Sequence, residues 1–82
     1  SLAIQFAKDG IRSNVVHPGI VGTPLQAPYL TDKLRAEFKT GIPLGRIGQP
    51  RDIAYAALFL ASEESAFMTG AEMIVDGGFM AQ

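Results

Sequence analysis

The sequence predicts an α/β fold with two short parallel strands. Residues Ile11–His17 are β-rich and end at a Pro-Gly pair, which is typical of a strand followed by a turn. Residues Pro50–Ser62 carry apolar side chains at helical spacing, and Ala71–Val75 form a second β-rich run that ends at Asp-Gly-Gly. Because the order strand–helix–strand gives a parallel pair with a right-handed crossover, we expect the two strands to be parallel.

Three further segments complete a predicted order of helix, strand, short helix, helix, strand. Ser1 to Lys8 places small and apolar residues at i,i+4 spacing, and Gly10 stands where glycine commonly ends a helix. Leu30–Lys39 is predicted to be a short polar helix with two apolar residues on one face. Gly41–Pro50 contains three Gly and two Pro, so we expect an ordered loop with several turns.

A sheet of only two parallel strands is not a stable unit, since parallel sheets need cover on both faces and usually more strands. The strand at Ile11–His17 would leave an unpaired apolar edge that invites aggregation or pairing with another chain. The chain also begins abruptly in an apparent helix, although Ser1 is a possible N-cap. We therefore expect residues 1–82 to be one end of a larger α/β domain whose earlier part is absent.

Composition excludes several classes of function. Seven Lys/Arg and eight Asp/Glu give a net charge of −1, which argues against a nucleic-acid partner. The absence of cysteine excludes disulfides and thiolate metal sites. The longest apolar run, Ile53–Ala61, is far shorter than the about 20 residues of a membrane span, so we expect no membrane partner. No signal-peptide pattern opens the chain, and we expect a cytoplasmic location.

Few side chains suggest chemistry by themselves. His17 is the single histidine, and we expect it to be structural, since a zinc site would need further His or Cys ligands. No serine stands in a G-x-S-x-G context, so a nucleophilic triad has little support. Glu63 and Glu64 are predicted to be a solvated helix end rather than a catalytic carboxylate pair.

The segment Pro18–Thr23 is the one local feature whose residues suggest a ligand-binding site. It follows the C-terminal end of a predicted parallel strand, where open α/β sheets bind ligands. Its two glycines let the backbone approach a ligand closely. Backbone N–H and C=O groups, with the Thr23 hydroxyl, are suited to holding an amide or a phosphate. On these residues alone, an ordinary turn remains the simpler interpretation.

Several short motifs occur together, and they are more specific as a set than singly. In chain order they are GIRSNVVHPG (Gly10–Gly19), Thr23-Pro24, PLGRIGQP (Pro43–Pro50), DIA (Asp52–Ala54), FLAS (Phe59–Ser62), Thr69-Gly70 and VDGG (Val75–Gly78). In this combination the chain resembles the C-terminal part of the short-chain dehydrogenase/reductase family, over essentially all of its length. Ser13 departs from the family, which often has an apolar residue there.

The resemblance implies a Rossmann-like fold, a doubly wound parallel sheet of which this chain is the C-terminal part. Ile11–His17 and Ala71–Val75 would be the last two strands, and Pro50–Ser62 the last large helix. Residues 1–9 would end the long helix that precedes the first of these strands. We expect residues 1–82 to be the C-terminal segment of a single Rossmann-like domain, without its N-terminal cofactor-binding and catalytic part.

The resemblance also identifies candidate cofactor-binding residues. The Pro-Gly-x-x-x-Thr loop of the family matches Pro18, Gly19 and Thr23. In relatives, the backbone at the positions of Ile20 and Val21 holds the nicotinamide carboxamide, and the Thr hydroxyl adds a hydrogen bond to the cofactor. The resemblance therefore implies that these five residues bind NAD or NADP.

Other matched positions have implied roles outside the chemistry. Residues from about Leu25 to Gly41 match a mobile segment that closes over substrate, and such lids exclude water. Arg46 is expected to tie its loop down, Asp52 to cap its helix, and Asp76 to fix the turn after the last strand.

The family's Gly-rich phosphate loop, catalytic Ser and Tyr-x-x-x-Lys motif have no counterpart in this sequence. Lys33 does follow Tyr29 by four residues, but the family's motif precedes the Pro-Gly loop, so we reject this pair. We assign no catalytic residue and no metal ligand, and we expect these residues alone to be inactive.

Two functional hypotheses follow. The first is part of an NAD(P)-dependent oxidoreductase that interconverts an alcohol and a ketone or aldehyde, with a small-molecule substrate and a homo-oligomeric state, tetramer or dimer. In it, this segment supplies the nicotinamide-side loop, the substrate lid and an oligomer interface. The alternative is a non-enzymatic fragment that self-associates through the exposed strand and the last helix.

Overall fold

A computed structural model describes all 82 residues. The elements follow the predicted order: α1 (Leu2–Phe6), β1 (Val15–Pro18), α2 (Asp32–Gly41), α3 (Pro50–Ala61) and β2 (Glu72–Val75). Single turns of 3₁₀ helix lie between or after them, at Ala7–Asp9, Ala27–Tyr29, Glu63–Ser65 and Phe79–Ala81. The chain is therefore an α/β segment built around one strand–helix–strand unit.

The two strands pair in parallel, as predicted, with Val15 opposite Glu72 and Pro18 opposite Val75. The predicted start of β1 at Ile11 was wrong, because β2 is only four residues long and offers no ladder to the residues before Val15. β2 itself lacks only the first residue of its predicted range.

Side-chain hydrogen bonds help to hold the segment before β1 in place. The Asn14 side chain bonds to the opposite backbone as a peptide group would. Its Nδ2 donates to the Met68 carbonyl at 3.1 Å, and its Oδ1 accepts from the Ala71 N–H at 3.0 Å. Arg12 donates through Nη1 to the Ser65 carbonyl at 2.8 Å and through Nη2 to the Ser62 carbonyl at 3.3 Å. This segment is thus fastened to the connector between α3 and β2, where Arg12 places a positive charge at the negative end of the α3 dipole.

Both long helices begin at polar caps. Thr31 has an extended backbone, and its Oγ1 accepts from the Leu34 N–H at 3.2 Å, so α2 begins two residues later than the predicted Leu30. Pro50 occupies the first position of α3, as predicted. The C-terminal cap of α3 is Ser62, whose hydroxyl donates to the Phe59 carbonyl at 2.7 Å.

The chain buries very little of its apolar surface. Only Ala3, Ile42 and Ser65 are buried, whereas Ile4, Leu58 and Phe67 are mostly or wholly exposed. The radius of gyration is 15.6 Å, above the about 12 Å expected for a compact domain of this length. The helices and strands therefore present apolar faces that the chain does not cover by itself. None of its helices combines the length and apolar character needed to cross a bilayer.

Candidate functional site

The end of β1 meets the end of β2 at Gly19. The Gly19 N–H donates to the Val75 carbonyl at 3.0 Å, which continues the parallel ladder by one bond. A Cβ atom on Gly19 would lie 2.7 Å from Asp76 Cβ and 2.8 Å from Asp76 Cα. Because ordinary contacts begin near 3.4 Å, only glycine lets the two strand ends approach this closely.

The turn after β2 is held by the Asp76 carboxylate. Its two oxygens accept from the backbone N–H groups of Gly78 and Met80, each at 2.9 Å. Gly77 has a φ of +66°, and a Cβ atom there would lie 2.7 Å from Ile42 Cγ2, so the turn packs tightly on the loop before α3. The structural role expected for Asp76 is confirmed.

The loop after β1 is tied to the loop before α3 by a parallel bridge that no sequence motif indicated. The Gly22 N–H donates to the Gly48 carbonyl, and the Gly48 N–H donates to the Ile20 carbonyl, both at 2.9 Å. A Cβ atom on Gly48 would lie 3.3 Å from the Ile20 oxygen, so this crossing also favours glycine. The bridge gives the backbone from Ile20 to Gly22 a defined path beyond the strand.

Two adjacent backbone donors on this path have no acceptor within the chain. The N–H groups of Ile20 and Val21 make no intrachain hydrogen bond, although their carbonyls accept from Gly48 and Thr23 respectively. Both residues line a cavity of about 240 Å³, together with Leu44, Ile53 and other residues. Both residues are half-buried, and their N–H groups are free to donate to a ligand that brings acceptors.

Thr23 closes the loop. Its carbonyl accepts from the N–H groups of Gln26 and Ala27, at 3.1 and 2.9 Å, and its Oγ1 accepts from the Gln26 N–H at 3.3 Å. The hydroxyl proton is not used within the chain, so Thr23 keeps one donor. The five residues predicted to bind cofactor thus form one continuous turn at the carboxyl edge of the sheet.

A bidentate ion pair anchors the loop before α3. Arg46 donates through Nη1 to Asp52 Oδ2 at 2.9 Å and through Nη2 to Asp52 Oδ1 at 3.2 Å. Asp52 Oδ2 also accepts from the Gln49 N–H at 2.7 Å, which caps the helix. The Arg46 hydrogen bonds, followed by that backbone bond, lower the pKa of Asp52 from 3.8 to about 2, and the same contact raises the pKa of Arg46. The structural roles expected for both residues are confirmed.

The single histidine and the acidic side chains form no metal cluster. His17 Nε2 lies 3.6 Å from Glu72 Oε1 across the strand pair, and both side chains are largely exposed. Tyr29 lies in a 3₁₀ turn and Lys33 in α2. No three His, Asp or Glu side chains come together as metal ligands would.

Known proteins resemble this chain over nearly all of its length. A family model described as enoyl-(acyl carrier protein) reductase matches residues 1–80. The 7alpha-hydroxysteroid dehydrogenase of Clostridium sardiniense is 43% identical over 79 residues, which cover 96% of this chain and 30% of that protein. The NADP-dependent (R)-specific alcohol dehydrogenase of Lentilactobacillus kefiri is 47% identical over 72 residues, covering 88% and 29%.

The fold of the chain also matches solved structures. A 4-hydroxyisoleucine dehydrogenase in complex with NADH superposes with a TM-score of 0.91 at 33% identity, over 99% of this chain and 34% of that one. The predicted cofactor class, NAD or NADP, is thus confirmed among the relatives. The chain spans about a third of the length of the proteins it matches. Since the family model covers residues 1–80 and the relatives are oxidoreductases, the chain belongs to the short-chain dehydrogenase/reductase family.

Proposed function

We propose that this chain is the C-terminal segment of an NAD(P)-dependent oxidoreductase that interconverts an alcohol and a ketone or aldehyde. The observation that carries the proposal is the pair of unused N–H donors at Ile20 and Val21, set at the carboxyl edge of a parallel strand pair. Ligands of open α/β sheets bind at this edge. The proposal places the nicotinamide end of NAD or NADP against the turn from Pro18 to Thr23.

The hydrogen-bond donors of this turn fit a carboxamide better than they fit a metal ion or a purely hydrophobic group. The Ile20 and Val21 N–H groups would donate to the carboxamide oxygen, and the Thr23 hydroxyl would donate to a further acceptor on the cofactor. Pro18 ends the strand and Gly19 brings it against Asp76, so both act by setting the path of the turn. When bound, the nicotinamide supplies or accepts the hydride.

This chain's part in catalysis is to orient rather than to transfer protons. A turn fixed by the Val21–Gly48 bridge holds its donors in place before the ligand arrives, which lowers the entropic cost of binding. The 3₁₀ turn Ala27–Tyr29 and helix α2 form the proposed lid that excludes water from the substrate. The proton-transferring Ser, Tyr and Lys would come from another part of the same domain.

The uncovered apolar surface supports a larger domain. Ile4 of α1 is 81% exposed and Val15 of β1 is 48% exposed, as expected of surfaces that pack against further helices and strands. Leu58 of α3 and Phe67 of the connector before β2 are also exposed and suit a contact between subunits. We propose a cytoplasmic homo-oligomer, a dimer or tetramer, formed through this side.

The test uses the complete protein that contains this chain. Denaturing mass spectrometry should give about 29 kDa, the value expected if 8.7 kDa is 30% of the whole. Titration with NADH and NADPH, followed by nicotinamide fluorescence, should show saturable binding of at least one, and a panel of ketones should be reduced.

The same exposed surface also fits the non-enzymatic alternative. A mass of 8.7 kDa, an oligomer by light scattering and no fluorescence change with either cofactor would establish the self-associating fragment and overturn the proposed enzyme.

A further inference from the structure

Arg35 of α2 is held in place but left without a charged partner. Its Nε donates to the Leu30 carbonyl at 3.1 Å, which restrains the guanidinium. Neither terminal nitrogen donates to any group of the chain, and the side chain forms no ion pair. By contrast, Arg12 and Arg46 each donate through both terminal nitrogens, to carbonyls or to a carboxylate. Arg35 therefore presents two terminal nitrogens that make no hydrogen bond within the chain.

The free end of Arg35 lies beside the loop that follows β1. A Cβ atom on Gly22 would lie 4.0 Å from Arg35 Nη1 and 4.0 Å from Leu30 Cδ1. Gly22 is the next residue along the chain from the Val21 N–H that is free to donate. Arg35 Nη1 thus lies beside Gly22, within the turn from Pro18 to Thr23 that is proposed to hold the nicotinamide.

This side of the loop is an open, charged cavity of about 450 Å³. Its charged lining residues are Asp32, Arg35, Lys39 and Arg46. The charge of Arg46 is balanced by Asp52, and Asp32 forms no ion pair with any of the three cations. Arg35 and Lys39 are four residues apart and so share one face of α2. Arg35 and Lys39 carry two positive charges against the one negative charge of Asp32. The lining of the cavity therefore has a net positive charge.

The geometry points to an oxyanion subsite in which Arg35 binds a carboxylate or phosphate group of the substrate in a bidentate manner, with Lys39 as a second charge. A fixed guanidinium with two free donors matches the two oxygens of such a group. The assignment of the anion to the substrate rests on the proposed function, whereas the existence of the subsite does not.

The first arm of the test measures anion binding without cofactor or turnover. Inorganic phosphate is titrated with the complete protein, and its ³¹P linewidth is followed at constant pH and ionic strength. Arg35→Gln should weaken phosphate binding by about tenfold or more, since hydrogen bonds to charged groups have that magnitude. Arg35→Lys should retain part of the affinity, and Lys39→Gln should lose less than Arg35→Gln.

The matched control is Lys33→Gln, which removes the same charge from α2 at an exposed position outside the cavity. It should bind phosphate like the wild type. Equal phosphate binding by wild type and Arg35→Gln would overturn the subsite. If Arg35→Gln fails to fold, judged by circular dichroism, the subsite is tested with the other variants. The phosphate binding of Arg35→Lys and of Lys39→Gln is then compared with that of Lys33→Gln.

The second arm identifies the source of the anion. The kcat/KM values of an oxo acid and its methyl ester are compared, and Arg35→Gln should lower the acid-to-ester ratio by about ten- to a hundredfold. An unchanged ratio, with a weakened Kd for NADPH or NADH, would assign the anion to the cofactor and overturn the substrate assignment. Loss of phosphate binding in Arg35→Gln, in a protein that binds no cofactor, would support the subsite and refute the proposed function.

Discussion

Replacement of Gly19 by alanine tests the closest approach in the candidate site. The added methyl group would sit 2.7 Å from Asp76 Cβ, about 0.7 Å inside the 3.4 Å limit of ordinary contact. The second clash, at 2.8 Å, is with Asp76 Cα, which is backbone and cannot rotate away. The turn must therefore move away from β2 and strain the bond from the Gly19 N–H to the Val75 carbonyl.

The expected losses of stability and of cofactor affinity follow from this overlap between the added methyl group and Asp76. Overpacking of a tight contact costs about 1–3 kcal/mol. In a domain of the proposed size, about 2 kcal/mol lowers Tm by about 4–8 °C. Because the same shift displaces the Ile20 and Val21 donors, we expect the Kd for NADH or NADPH to rise by about five- to a hundredfold.

The assay is differential scanning calorimetry with fluorescence titration of both cofactors, on the complete protein. Gly41→Ala is the matched control, since a Cβ atom there meets nothing within 4 Å and the residue ends a helix. It should leave the Kd unchanged and leave Tm equal or higher, because alanine favours helix over glycine. The reasoning is refuted if Gly19→Ala binds cofactor as tightly as the wild type, or if Gly41→Ala weakens it equally.

Two further predictions concern the supports of the site. Asp52 has its pKa lowered to about 2 in the folded chain, so its contribution to stability is complete above pH 3.8 and is lost as the pH falls towards 2. Thermal melts between pH 5 and pH 2 should therefore fall more steeply for the wild type than for Asp52→Asn, and parallel curves would contradict the Arg46 contact. Arg12→Met should lower the free energy of unfolding by about 1–3 kcal/mol, since it leaves the buried Ser65 without its Arg12 hydrogen bonds. Denaturant unfolding measures this loss, and Arg51→Met, at an exposed position of α3, should cost much less.

Local sequence signals were enough to predict an element where its formation depends on its own residues. Pro50 at the first position and a run of apolar and small residues predicted α3 to within one residue of its end. The Pro-Gly and Asp-Gly-Gly stops placed both strand ends at the same edge, since parallel strands share their carboxyl side. The roles of Arg46, Asp52 and Asp76 likewise follow from short-range contacts that motif spacing reflects.

Features that depend on distant partners were not predictable in this way. The start of β1 depends on the length of β2, which lies more than fifty residues later, so periodicity placed it four residues too early. Arg12 and Asn14 look like surface residues in the sequence, yet they bond carbonyls and N–H groups of the connector after α3. Their sequence signal is weak, because polar residues are common beside strands and most of them face solvent.

The sequence by itself determined the α/β class, the order of the elements, the turn from Pro18 to Thr23 and the family resemblance, because each depends on neighbouring residues or on motif spacing. Only the tertiary structure decided that Gly48 fixes that turn, that the Ile20 and Val21 N–H groups stay unpaired and that Arg35 faces the same loop. The physical reason is that hydrogen-bond pairing and charge balance are properties of groups brought together across the fold, and no short stretch of chain contains both partners.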